Sequence, residues 1–388
     1  MRDEAEYKGD SEAVDLGARR RRDASGVTEV AEIVADVRER GDAAIREWSE
    51  RFGDGTPGRV ESRGELDTET LRAVRALVDA VEAVHAAQRP ADTTVTPISG
   101  IEVTRRWLPL DSVGIYVPRG LVSSLVMTAV PARLAGVERI AIATPRPSQA
   151  MLAIARELRI DELYSMGGPQ AIAAFAYGTD EIDPVAKIVG PGNRWVTEAK
   201  LLVSSRVATD LPAGPSEVLV IADGTADPEA CAADLLAQGE HGPDGESILV
   251  TTSAELADAV AAGVGDRARV ELAGSLEEAL ARANDLAPEH LELLVEDPDA
   301  LAAGVRNAGA VFLGTSAVLG DYAAGSNHVL PTGGLARGTG GLGLEAFLKP
   351  VQFIRATPEA LASVRPTVEA FAALEGLPLH AESVAVRA

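Results

Sequence analysis

The sequence predicts an α/β protein built on two Rossmann-like parallel-sheet units, and three observations carry that prediction. From about residue 101 short β-rich runs alternate with helical ones, the pattern of a parallel sheet with helices on both faces. A second series of the same kind begins after Pro215. The chain of 388 residues, 46% hydrophobic, is also long enough to bury roughly 75% of its extended-chain surface, and that length implies more than one core.

The first hundred residues read as helical. Val30, Ile33, Val34 and Val37 recur at helical spacing before Gly41, and Leu71, Val74, Leu77, Val78, Val81 and Val84 mark a second helix that ends before Pro90. His85 lies at the edge of this second stripe with no carboxylate or turn motif beside it, so it reads as a structural histidine. Strands are predicted over 112–117, 139–144, 162–166 and 185–189, with helices near 124–135, 149–158, 170–177 and 195–203 between them. The second series has strands at 217–222, 247–251, 290–295 and 311–313. A glycine-dense loop follows, GDYAAGSNHVLPTGGLARGTGGLGLE, too long and glycine-rich to be an ordinary connection. A last strand near 351–355 and an amphipathic helix over 358–374 close the pattern.

Composition removes several classes of function. A formal charge of −23 repels nucleic acid and anionic lipid, so neither is an expected partner. The basic side chains are nearly all arginine and the acids are spread along the chain, as in proteins adapted to a high-salt cytoplasm. Cys231 is the only cysteine, which rules out an intrachain disulfide and a thiolate zinc cluster. The longest apolar stretch, 121–137, is broken by Pro131 and Arg133, and the amino terminus has no basic-then-apolar leader; the expectation is a soluble, cytoplasmic protein.

Four of the five histidines, His241, His290, His328 and His380, fall in short Gly/Pro-marked segments with a carboxylate or amide nearby. Nitrogen and oxygen ligands hold zinc, and neutral imidazole or carboxylate takes a proton, so this region is the expected seat of the chemistry. LLAQGEHGPD puts Gln238 and His241 on one face of a helix end; a metal platform and a solvated, capped helix end both fit. In APEHLEL, Glu289 and His290 are adjacent, and neighbours on a regular strand point to opposite faces. They share a cavity only if the backbone turns at Pro288; the alternative is a surface charge pair. Asp321 and His328 sit in the glycine-dense loop, while Glu375 and His380 follow the last helix, where Asp321 also fits a helix cap and His380 a frayed end.

A separate group, GIYVPRG, GGPQAIAAFAYGT and VGPGNRWVTEAK, begins at strand ends and runs into helices, where free backbone amides and the helix dipole favour phosphate. There is no G-x-G-x-x-G fingerprint, so the residues alone support an anion or nucleotide site, with ordinary βα turns as the alternative.

In this order, YVPRG, LVMTAVPARLAGV, GGPQAIAAFAYGT, KIVGPGNRWVTEAK, DLPAGPSEVLVIAD, LLAQGEHGPD, APEHLEL, GDYAAGSNHVLPT and LEGLPLH, the segments resemble the histidinol dehydrogenase family from about Val27 to the end. The resemblance implies a homodimeric enzyme with one zinc per subunit that oxidises L-histidinol through the aldehyde to L-histidine with two NAD. It implies zinc ligation by Gln238, His241, Asp321 and His380, and proton transfer by Glu289 and His290. Substrate would be bound by Ser216, Glu375, His290 and the ligands, with His328 lining the same pocket; Tyr116, Gln170 and Asn193 would contact NAD. It further implies an amino-terminal arm (1–20), a discontinuous main α/β domain (21–115 and 216–345), an inserted NAD-side domain (116–215) and a carboxyl-terminal domain (346–388) that crosses to the partner, so that His380 serves the other subunit. Arg119 stands where the family usually has a second glycine, and Gly239 replaces a common alanine. Two other readings use the same residues: a zinc hydrolase with Glu289 as the base for water, and a metal or amino-alcohol binder without turnover.

Overall fold

The computed structural model describes residues 29–210, 214–242 and 245–387; the expected arm at 1–20 lies outside them. Two helices come first, α1 over 29–40 and α2 (Asp42–Phe52), then the short strand β1 (Gly58–Arg59) and α3 (Thr68–Ala86), capped by Asp67, whose carboxylate accepts from the Glu69 and Thr70 amides. The first sheet contains β4 (Ser112–Tyr116), β5 (Arg139–Thr144), β6 (Glu162–Ser165), β7 (Lys187–Val189) and β8 (Ala208–Thr209) in the order β1-β6-β5-β4-β7-β8, parallel except where β1 meets β6. Helices α4 (Val122–Ala135), α5 (Gln149–Glu157), α6 (Gly168–Tyr177) and α7 (Arg194–Val203) connect these strands. One face packs against α3, α4 and α5, the other against α1, α2, α6 and α7. α4 is buried from Ser124 to Ala132, so it carries apolar residues on nearly every side and shows no helical stripe.

The second sheet is wholly parallel: β9 (Glu217–Ala222), β10 (Glu246–Thr251), β11 (Arg269–Leu272), β12 (His290–Leu294) and β13 (Ala310–Leu313), in the order β11-β10-β9-β12-β13. α8 (Pro228–Gln238) and α9 (Ala254–Val264) cover the face that buries Val218 and Val220; α10 (Leu276–Leu286) and α11 (Pro298–Ala302) cover the face of Leu219, Leu291 and Leu293. The short helix α12 (Val318–Tyr322) follows β13.

Three elements depart from the expected pattern. The first hundred residues are not all helical: β2 (Thr93–Ile98) pairs antiparallel with β3 (Ile101–Pro109), which pairs in turn with β14 (Leu348–Ala356). β2 is exposed at every position, so no apolar alternation betrays it. β11 is a short edge strand, RVEL, with the same weakness of signal. Beyond α13 (Pro358–Glu375) the tail forms a further helix, α14 (Pro378–Ala385). The 115/116 boundary cuts through β4, and α1 and α2 share a core with the first sheet rather than the second, because the apolar stripe of Val30, Val34 and Val37 closes on α6 and α7.

Candidate active site

The first sheet reverses its strand order between β4 and β7, and loops diverging at such a point leave a crevice beyond the carboxyl ends of the strands. A cavity of about 510 Å³ lies there, lined by Tyr116, Gly168, Asn193 and Trp195 with Asp54, Arg119 and Arg146. Tyr116 ends β4; burial pushes its phenol up to about 12, so it remains a neutral hydroxyl, and its oxygen accepts from the Gly168 amide at 3.3 Å. Asn193 caps α7, accepting from the Trp195 and Val196 amides at 3.1 and 3.2 Å. The chain turns between β7 and α7 at Gly190, where φ is +109° and a Cβ would stand 2.1 Å from the Tyr116 carbonyl oxygen. Only glycine permits that approach. Gln170 is fully buried and stands behind the wall, donating to Asp54 at 3.1 Å.

The second cluster forms at the amino ends of β9 and β12, which are hydrogen-bonded neighbours. After α10, Ala287 adopts φ +52°, Pro288 follows, and β12 begins only at His290, so Glu289 is free of the strand's alternation. The turn required for both side chains to share one site is therefore present. Glu289 Oε2 accepts from Ser216 Oγ at 2.6 Å and from the Glu217 amide at 2.9 Å, and lies 3.5 Å from His290 Nδ1. His290 Nδ1 also lies 3.1 Å from the Glu217 carbonyl, an acceptor only, so the neutral ring carries its proton on Nδ1 and leaves Nε2 as the basic nitrogen. Burial works against the charged imidazole, but Glu289, Asp321 and the Glu217 carbonyl outweigh it and raise the pKa of His290.

Asp321, on α12, lies 3.4 Å from His328 Nδ1, and His328 Nε2 lies 3.2 Å from Ser124 Oγ at the start of α4. Burial pushes the Asp321 carboxyl up, yet His328, His290 and His241 together hold it below its ordinary value. Their combined influence places Asp321 among three imidazoles. Gln238 ends α8, is buried, and has an unpartnered amide nitrogen; the two ends of a primary amide are interchangeable, so this buried end can present oxygen to a cation. His241 is exposed in the single 3-10 turn that follows.

Glu375 and His380 do not join this cluster within the chain; both are exposed on the outlying α13 and α14. Among the described residues no group of three or more His, Cys, Asp or Glu is arranged to hold a metal ion. His85 is buried, with Nδ1 2.9 Å from the Val81 carbonyl, and packs on Asn327, in keeping with a structural role. Sequence reasoning overlooked Ser124, Asp54 and Glu217. Ser124 is 204 positions from His328, Asp54 sits in an ordinary-looking turn, and Glu217 acts through its backbone.

Known proteins match the chain over most of its length. The family description "Histidinol dehydrogenase" matches residues 18–388. The chain is 44% identical over 395 residues to the histidinol dehydrogenase of Rhizobium meliloti, covering 92% of this chain and 91% of that one. It is 45% identical over 396 residues to that of Cereibacter sphaeroides, with coverage of 92% and 91%. The crystal structure of histidinol dehydrogenase from Elizabethkingia anophelis superposes with a TM-score of 0.86 at 34% identity, covering 93% of this chain and 91% of that one.

Proposed function

The chain belongs to the histidinol dehydrogenase family and is an NAD-dependent oxidoreductase, and we propose that it oxidises L-histidinol through the aldehyde to L-histidine with two NAD, using one zinc per subunit. The observation that carries this reading is the pairing of Glu289 with His290 beside Asp321, with His290 Nε2 left as the free base. A carboxylate and an imidazole in one pocket suit two different proton transfers. In the first oxidation His290 Nε2 takes the hydroxyl proton. In the second, Glu289 takes a proton from the water that hydrates the aldehyde, while Ser216 and the Glu217 amide hold its Oε2 in place.

The donor set fits zinc: the buried amide of Gln238, the imidazole of His241 and the carboxylate of Asp321 would hold it, with His380 of the partner subunit as the fourth ligand. When bound, the ion supplies a positive anchor for the neutral imidazole and amine nitrogens of histidinol. NAD would lie in the crevice of Tyr116 and Asn193, with Arg119 and Arg146 facing its phosphates and Gln170 steadying Asp54. His328 would line the substrate pocket and Glu375 would reach it from the partner. The homodimer rests on the carboxyl-terminal tail: Phe371, Leu374, Leu379 and Val386 are 61–82% exposed, an apolar surface that a second copy would cover.

Counting NADH per histidinol tests the reaction; about two are expected from a four-electron oxidation, and one would leave an alcohol dehydrogenase. Mixed dimers test the tail. His290→Asn and His380→Ala subunits, each inactive alone, should regain activity when mixed, because one site of the heterodimer then holds both native residues. No recovery would place His380 in its own subunit's site.

A further inference from the structure

Beneath the acid–base cluster, on the same face of β12 as His290, Glu292 is completely buried. Its Oε1 accepts from the Ala317 amide at 2.5 Å; its Oε2 finds no donor among the described residues. The side chain it meets is another acid, Asp234 on α8, whose own carboxylate accepts from Ser316 Oγ at 2.6 Å. The other groups near the pair are the buried Cys231 thiol on α8 and His290 on the same strand; the turn from β13 presents only the Ser316 hydroxyl and the Ala317 amide. Among the described residues no lysine or arginine bonds either acid. Two carboxylates in contact, one wholly out of water, cannot both stay ionised; a proton between them turns repulsion into a hydrogen bond and supplies the missing donor.

The pair grips consecutive residues, Ser316 and Ala317, at the start of α12, and that helix carries Asp321 one turn on. We propose that Glu292 and Asp234 share one proton and act as a positioning pair, clamping this turn so that Asp321 stands beside His328 and His290. The placement of Asp321 matters through the zinc site proposed above, whereas the shared proton is a property of the metal-free fold.

Burial and Asp234 raise the Glu292 carboxyl to about 8, against an ordinary 4.5. A carboxyl with a folded pKa above its unfolded one stabilises fully below the unfolded value, and that stability is lost as pH rises through the folded value. The metal-free protein should therefore lose melting temperature steadily between about pH 4.5 and 8 through this group. Glu292→Gln, which keeps an acceptor for Ala317 and gives Asp234 a permanent donor, should remove that decline. Isotope-edited infrared spectroscopy should show a protonated-carboxyl band at pH 7 in the wild type, and Glu292→Gln should abolish it. Zinc affinity should stay within about threefold in Glu292→Gln and weaken by about 10–100-fold in Glu292→Leu and Asp234→Ala. A pH slope equal in wild type and Glu292→Gln, or no protonated carboxyl at pH 7, overturns the shared proton. Native zinc affinity in a folded Glu292→Leu protein overturns the positioning role. Failure of the unmodified enzyme to oxidise histidinol would instead count against the proposed reaction and leave the pH and infrared results standing.

Discussion

The two parallel sheets have the same winding, with the first strand of each unit central, the next two on one side and the last two on the other, yet they use opposite ends. In the first sheet the cavity opens beyond the carboxyl ends of β4 and β7, where α6 and α7 begin. In the second, the reactive residues stand at the amino ends of β9 and β12, where α8 and α10 finish. A helix start offers unbonded N–H groups and partial positive charge; a helix end offers carbonyls and partial negative charge. One winding thus provides an anion-friendly crevice at one end and a cation-friendly pocket at the other, which suits the dinucleotide and metal sites proposed above. The two meet through Ser124, at the start of α4, and His328, which reaches Asp321 on the other side.

Substitutions that act on one end and spare the other would sharpen this contrast. The largest effect belongs to the second sheet: His290→Asn should cost about 10²–10⁴-fold in histidinol oxidation. NAD binding, followed through the fluorescence of Trp195 in the cavity wall, should not change. Glu289→Gln should spare oxidation of the alcohol and impair that of the aldehyde; equal loss on both substrates would break the division of labour. Gly190→Ala, in the first sheet, should introduce about 1–3 kcal/mol of strain against the Tyr116 carbonyl. The expected reading is a lower melting temperature and a raised KM for NAD, with zinc content unaltered. The smallest effect is in pH. Because Glu289 and Asp321 raise His290, the rate should fall on acidification through a midpoint above the unperturbed 6.5; a midpoint at or below that value would deny their influence.

The sequence shows most of this plan because its signals are local. Apolar runs broken by glycine and proline locate β4 to β7 and α4 to α7 to within a few residues, and they put Tyr116 at a strand end and His290 at a strand start. Where apolar contrast fails, so does the reading: β2 is exposed throughout and β11 is a brief edge strand. The site divides in the same way. Glu289, His290, Asp321 and His328 stand out by residue type, and the structure brings each pair to within 3.5 Å. Their supports do not stand out: the Glu217 carbonyl is backbone, and Glu292 looks like one more strand residue beside Leu291 and Leu293.

What the chain determined by itself, then, is its family, its alternation of strand and helix, and the kinds of side chain available for proton transfer and for holding a cation, all written in residue type and spacing over short distances. Only the tertiary structure decided that the carboxyl end of one sheet meets the amino end of the other, that a strand carbonyl fixes the His290 tautomer, and that a buried acid, Glu292, lies under the site. Each of these depends on groups tens to hundreds of residues apart coming within hydrogen-bonding range, and no local pattern encodes that distance.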